Sequence, residues 1–381
     1  MKYIDEFRDP VLAKTLASAI EAEASPDRIY RFMEFCGGHT HAIARYGVED
    51  LLPERIKMIH GPGCPVCVLP VSRVDTAVAL ATQNDVILCT YADLMRVPGS
   101  KYDSLLKARA RGADIRMVYS VTDALNIARS NPDRQVVFFA IGFETTTPPT
   151  AVALKIAAAE GLANFSVHCN HVLTPAAMRA ILGGHENGKA AEVVLDGFVG
   201  PAHVSAVIGT APYHEFTRDY AKPVVIAGFE PLDVMQSVLQ LVRQVNEGRA
   251  EVENEYTRAV TPKGNQKAIA LMDKVFEIRD SFQWRGLGAV PDSALQIRPH
   301  LAAFDAEKRF ALELPVPREN KACACGEILR GEKSPTDCKI FGDPCTPENP
   351  LGACMVSSEG ACAAHWTYGR FREAQKAEAL A

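Results

Sequence analysis

The stretch Ile56-Lys57-Met58-Ile59-His60-Gly61-Pro62-Gly63-Cys64-Pro65-Val66-Cys67 sets an apolar segment directly before a glycine-proline turn that carries two thiols. A short apolar run closed by Gly and Pro reads as a strand ending in a loop. The unit has echoes: Ala140-Ile141-Gly142-Phe143-Glu144 and Ala227-Gly228-Phe229-Glu230-Pro231 also place a glycine loop after a strand, and these two share Gly-Phe-Glu. Strand candidates at 56–60, 85–91, 115–119, 135–141, 165–169, 196–200 and 223–227 alternate with helix candidates at 72–82, 103–111, 122–130, 149–160, 174–184, 203–209 and 231–246. That alternation predicts an α/β protein with parallel sheets covered on both faces.

The pattern divides into two α/β lobes. Residues 46–120, with the C-x-x-C loop, form the first and are completed by about 223–246; residues 121–222 form the second. Residues 1–45 and 247–381 are left for a helical, cysteine-rich module. Residues 10–24 read as an amphipathic helix with Val11, Leu12, Leu16 and Ile20 on one stripe, and 28–35 lead into the first thiol loop. Residues 251–256 look charged and helical, 286–299 are broken by Gly and Pro, and 370–381 look like a polar helix. Ligands of parallel sheets gather at the carboxyl ends of strands, so the glycine loops are predicted to face a cleft between the lobes.

Composition sets outer limits. A chain of 381 residues, 48% hydrophobic and 23% charged, is an ordinary soluble protein of two or three domains. A net charge of −5 with no Lys/Arg block argues against nucleic acid or an anionic membrane as partner. Acidic residues at Asp5 and Glu6 stand where a signal peptide needs an apolar core, and the apolar run at Val136–Ile141 is far too short to span a bilayer. A cytoplasmic location is expected.

Eleven cysteines in a reduced compartment point to metal or redox chemistry rather than a disulfide framework. Cys89 and Cys169 sit singly in apolar runs and read as small buried hydrophobes. Six others follow the spacing Cys323-x-Cys325-x12-Cys338-x6-Cys345-x8-Cys354-x7-Cys362. Zinc sites usually come as two C-x2–4-C knuckles, and none is present here, so an iron–sulfur cluster is the better reading. Four ligands suffice. Neighbours in C-x-C rarely both reach one cluster, which assigns Cys323, Cys338, Cys345 and Cys362 as ligands and Cys325 with Cys354 as a redox pair. Cys64 and Cys67 suit reversible disulfide formation, and a following helix, 72–82, would favour the thiolate; half a zinc knuckle is the competing reading.

Cys36-Gly37-Gly38-His39-Thr40-His41 combines a thiol and imidazoles with two glycines that allow close backbone approach. It suits a soft or borderline metal, or an activated nucleophile. In Gly142-Phe143-Glu144-Thr145-Thr146 the free amides and hydroxyls suit an anion or polar ligand, or a Thr helix cap. His203 and Glu230 occupy comparable loop positions. No Walker A, complete G-x-G-x-x-G or G-x-S-x-G sequence is present.

These thiol loops, the Gly-Phe-Glu-Thr-Thr stretch and Cys345-Thr346-Pro347-Glu348-Asn349-Pro350 together resemble the HypD family of hydrogenase maturation factors, from about residue 5 to 370. The resemblance implies two Rossmann-like lobes and a 4Fe–4S module. It implies a scaffold with redox activity that works with the small chaperone HypC to assemble the Fe(CN)2(CO) group of NiFe hydrogenases, and so serves the large subunit indirectly. Cyanide would come from HypE, charged by HypF. Cys36 would ligate the nascent iron with a cysteine of HypC, and Cys64 and Cys67 would be redox thiols in the cleft. A stand-alone thiol–disulfide oxidoreductase reduced through its cluster, and a structural zinc protein, are the competing readings.

Overall fold

A computed structural model describes residues 5–183, 194–312, 315–316 and 320–370. Within them the strands are β1 (Tyr30–Glu34), β2 (Ile56–His60), β3 (Val86–Thr90), β4 (Ile115–Met117), β5 (Gln135–Gly142), β6 (Phe165–His171), β7 (Gly197–Pro201), β8 (Val224–Ala227), β9 (Val252–Asn254), β10 (Phe276–Trp284) and β11 (Gly288–Ile297). They build an all-parallel sheet in the order β2-β1-β7-β8-β9, a second parallel sheet β4-β3-β5-β6, and an antiparallel hairpin β10-β11. Counted within each sheet, the orders are 2-1-3-4-5 and 2-1-3-4, the doubly wound arrangement. The order reverses between β1 and β7 in one sheet and between β3 and β5 in the other, and such switch points open a crevice.

The α/β reading and all seven strand candidates stand, but their division between the sheets differs from the expected one. β3 and β4, assigned above to the first lobe, pair with β5 and β6; β7, assigned to the second, lies beside β1. The chain leaves the first sheet after Cys67 and returns near residue 197. Residues 5–34 are not part of a cysteine-rich module either. Tyr30–Glu34 is an interior strand of the first sheet, and the helix Pro10–Glu23 packs on the helix Pro231–Asn246. That helix buries Ala13 and Ile20, with Leu16 and Ala17 partly covered, whereas Val11 and Leu12 are 70% and 50% exposed. The buried stripe runs 13-16-17-20, one helical face, not through the first turn, where Asp9 caps the amides of Val11 and Leu12.

Residues 251–256 are also not helical: Val252–Asn254 extends the first sheet at its edge. The stretch 286–299 is largely a strand, entered through Gly286 at φ 85°. The polar helix expected at 370–381 falls outside the described residues except for its first.

One apolar core runs between the two sheets through Met33, Phe35, Phe198, Val137, Phe139 and Trp284. The same core contains Cys64, Cys67, Cys325, Cys338, Cys345, Cys354 and Cys362, so the cysteine-rich segment is built into the body. Cys89 and Cys169 lie buried in a second cluster behind the β4-β3-β5-β6 sheet, as expected of small hydrophobes.

Candidate functional site

Four loops converge at the carboxyl end of the first sheet. β1 leads to Cys36, β2 to Gly61–Cys64, β7 to His203 and β8 to Phe229. Cys36 and His203 follow the two strands that flank the switch point. Both ring nitrogens of His203 approach the Cys36 Sγ, at 3.7 and 3.6 Å. Burial, and then neighbouring His39, lower the His203 pKa to about 4, so the ring is neutral and can offer a lone pair. Burial, then the Glu359 and Glu34 carboxylates, push the Cys36 thiol up.

Close packing builds this crevice. A Cβ on Gly38 would lie 2.9 Å from the Phe229 ring and one on Gly37 2.4 Å from Glu359 Cβ. One on Gly63 would lie 2.3 Å from the Cys36 nitrogen, so the C-x-x-C loop presses directly on the backbone of Cys36. Glu34, fully buried at the end of β1, accepts from the Cys36 amide at 2.8 Å and from the Thr40 hydroxyl. Its other neighbour is His60 Nδ1 at 3.0 Å. Burial opposes charge on His60, yet the hydrogen bond and charge of Glu34 outweigh it and raise its pKa. His39 is turned away from the thiol: its Nε2 donates to the carbonyls of Ala227 and Gly228, both at 3.0 Å, and its ring lies tilted against Phe229. His41 reaches the Ser358 carbonyl.

Cys64 and Cys67 form a disulfide with Cα atoms 5.2 Å apart. The helix they serve is not 72–82 but the single turn Pro65–Val68, which Cys64 caps by accepting the Cys67 amide. This turn packs on the segments Ala353–Met355 and Cys325–Leu329. On its other side, Pro65 and Val66 border a cleft of about 470 Å³ at the second switch point, lined by Tyr91, Asp93, Gly142, Thr146 and Glu359.

Of the loop 142–146, only part faces that cleft. Thr146 donates back to the carbonyls of Ile141 and Phe143 rather than capping the helix Thr147–Glu160. Thr145 is half-buried beside it. Glu144 points the other way, buried, and accepts from the amide and hydroxyl of Thr174 at 2.9 Å each. Burial pushes its pKa up to about 7. Glu230, its counterpart after β8, pairs with Arg8.

All six C-terminal cysteines line one small cavity with Phe341, Gly352 and Met355. The Cys325 and Cys354 sulfurs are 2.7 Å apart. The amides of Ala324 and Leu351 donate to the sulfurs of Cys338 and Cys345, at 3.5 and 3.4 Å. Among the described residues, no three His, Cys, Asp or Glu side chains close around a point as they would around a single ion.

Two residues with a part in these sites are absent from the sequence reading: Glu34 and Glu359. A carboxylate ending the apolar run Tyr30–Met33 was a visible signal for Glu34. Glu359 acts across a long sequence separation and leaves no local pattern.

Comparison with known proteins agrees with the geometry. The family model for HypD, the hydrogenase formation hypA family, matches residues 11–369. The hydrogenase maturation factor HypD of Rhizobium leguminosarum bv. viciae is 65% identical over 373 residues, covering 98% of this chain and 97% of that one. The hydrogenase expression/formation protein HupD of Azotobacter chroococcum mcd 1 is 65% identical over 374 residues, 98% of both chains. The hydrogenase maturation factor HypD2 of Bradyrhizobium diazoefficiens is 64% identical over 379 residues and the full length of both. With relatives this similar along the whole chain, and the motif thiols gathered as described, the chain belongs to the HypD family.

Proposed function

We propose that this chain is a scaffold and redox protein for assembly of the Fe(CN)2(CO) group of NiFe hydrogenases, acting with a HypC-type chaperone. The observation that carries this is the pairing of the Cys36 thiol with the neutral His203 ring at the β1/β7 switch point. Two soft-to-borderline donors leave the remaining positions on an incoming iron to be filled from outside, by a cysteine of the chaperone and by the diatomic ligands. HypE, charged by HypF, would supply the cyanide. Binding iron(II) releases the Cys36 proton. A divalent cation would also turn Glu359 and Glu34 from groups that oppose the thiolate into groups that support the charge beside it.

The six-thiol cavity fits a 4Fe–4S cluster by its donor set: cysteine sulfurs and apolar walls, with backbone amides directed at two of the sulfurs. Cys323, Cys338, Cys345 and Cys362 would hold it, and when bound it supplies single electrons. Cys325 and Cys354 are then free to act as a dithiol, supported by their close approach. The disulfide turn Pro65–Val68 lies against both of their segments. Cys64 and Cys67 are 4% and 0% exposed, which favours exchange inside the protein over the alternative of a free-standing oxidoreductase attacking outside substrates.

The test is co-expression with the chaperone and infrared spectroscopy of the purified complex. Bands of iron-bound cyanide and carbonyl are expected, and Cys36→Ala should remove them while the brown absorption near ~400 nm, typical of thiolate-held clusters, persists. Bands that survive the change would refute the iron-ligand role. A colourless protein carrying stoichiometric zinc would refute the redox role.

A further inference from the structure

A cavity of about 220 Å³ lies where four segments meet: the turn of the β10–β11 hairpin, the helix Val71–Ala81, the loop that follows β3 and the cysteine-rich segment. Val71, Lys101, Arg285 and Asn320 line it, and no carboxylate does.

Arg285 is only 7% exposed. Its amide donates to the Val68 carbonyl at 2.8 Å and its Nε to the Leu69 carbonyl at 2.9 Å, which fixes the guanidinium. Its Nη2 is buried with no hydrogen-bond partner, and the residue forms no ion pair among the described residues. A desolvated cation with an unmet donor is costly unless an anion completes it.

The start of the helix adds donors. Pro70 stands at its N-cap and offers no side-chain acceptor, and the amides of Val71 and Ser72 have none among the described residues. Free amides at the positive end of a helix attract anions. Lys101 is exposed and forms no ion pair among the described residues. Asn320 accepts the Ala322 amide through its Oδ1 at 3.0 Å, which leaves its NH2 to donate. Asp75, on the same helix, is taken by the Ser100 amide at 2.7 Å.

We propose that this cavity binds a phosphate-sized oxyanion, held by Arg285, Lys101 and the amides that open Val71–Ala81. The volume is below the roughly 300 Å³ at which pockets begin to take drug-sized ligands, so the ion is a free one and not part of a nucleotide. Once bound, it joins the hairpin turn to the helix that follows the C-x-x-C turn. It thereby braces the segment that carries Cys64 and Cys67 while touching neither sulfur.

The test is calorimetric titration of inorganic phosphate into the full-length protein, purified anaerobically, at fixed ionic strength. Saturable one-to-one binding with a Kd of about 1 mM or tighter is expected, and acetate should bind more weakly. Arg285→Gln should weaken phosphate about tenfold or more, as loss of a charged hydrogen bond does. Lys101→Glu should weaken it about fivefold. Lys155→Glu makes the same change of charge at an exposed position outside the cavity and should stay within about twofold of the parent. If the Gln variant does not fold, the two exposed lysines decide. No saturable binding in the parent, acetate tighter than phosphate, or equal weakening by Lys101→Glu and Lys155→Glu overturns the inference. Binding that Arg285→Gln and Lys101→Glu leave unchanged does the same. The titration needs neither iron nor chaperone, so its failure leaves the assembly role standing.

Discussion

The two parallel sheets share a strand order, and each carries Gly-Phe-Glu at the end of a strand, yet the two motifs do different work. After β8, Phe229 lies between the rings of His39 and His203, with centroids 5.0 Å from each, and Glu230 faces outward to Arg8. After β5, Phe143 packs on Trp284, and Glu144 is drawn inward to the start of the helix Thr174–Gly183. Position in the sheet explains the difference. β5 borders its switch point, so its loop forms the floor of an open cleft, and the motif's side chains must hold that loop. β8 stands one strand beyond its switch point, so its loop can lean over and wall the crevice that Cys36 and His203 occupy. An identical tripeptide is a wall in one sheet and a brace in the other.

The comparison can be broken most sharply at the glycines. Gly63→Ala places a Cβ within 2.5 Å of the backbone of Cys36 and Phe35, where nothing flexible can give way. A loss of about 3 kcal/mol or more is expected, at the upper end of overpacking costs, read from urea unfolding. Gly142→Ala meets Thr146 and a φ of 125°; about 2 kcal/mol is expected from strain of that kind. A neutral Gly63→Ala would mean that the C-x-x-C loop does not shape the Cys36 crevice.

Glu144 sharpens the difference between the braces through pH. Its carboxyl, ordinarily near 4.5, is pushed up to about 7 by burial. Below pH 4.5 both folded and unfolded chains hold the proton and no penalty arises. Between 4.5 and 7 the unfolded chain releases a proton that the folded one keeps, so stability falls as pH rises, then levels off. The full effect is roughly 3 kcal/mol for a shift of this size. Glu144→Gln can still accept from the Thr174 amide and donate to its hydroxyl. It should therefore gain stability at pH 8 and gain nothing at pH 4, in paired denaturation series. His168 and His171 on β6 act with the opposite sign. Burial lowers them to about 3 and about 4, so the stability they allow is complete above pH 6.5 and is lost as pH falls. A Glu144→Gln gain that does not grow with pH would show that the carboxyl is ionised in the folded protein.

Much of this was legible in the sequence because it is local. Strands such as Val86–Thr90 and Gln135–Gly142 are continuous apolar runs, and the thiol loops announce themselves by composition. The sheet each strand joins is not local. Phe198 and Val199 of β7 read like any other strand, and pairing with β1 across more than 160 residues is decided by which apolar faces meet in the shared core. β1 escaped notice because Arg31 interrupts its apolar run, although Arg31 is half-buried and its amide is held by Asp196. The Cys36 crevice was half legible: Cys36, Gly38, His203 and Phe229 were visible, whereas Glu34 went unread with its strand and Glu359 arrives from the C-terminal segment.

Phe229→Leu separates wall from brace at moderate cost. Leucine keeps most of the buried area but removes the ring shared by His39 and His203, so about 1 kcal/mol of stability should be lost. The larger effect should fall on the iron bands, since His203 would no longer be held against the Cys36 sulfur. Phe143→Leu should lose a similar amount of stability and leave the bands in place. Bands equally affected by both changes would show that the two loops act as one unit.

The smallest effect is expected at Thr146. Its hydroxyl donates to the carbonyls of Ile141 and Phe143 and closes the loop on itself. Thr146→Val keeps the shape and removes both bonds, which should cost about 1 kcal/mol. If Thr146 only braces the loop, iron loading measured by the infrared bands will be unchanged once the protein is kept well below its melting temperature. If loading falls while stability barely moves, the hydroxyl is serving something that enters the cleft. The second switch point would then be a working part of the site rather than the support of the first.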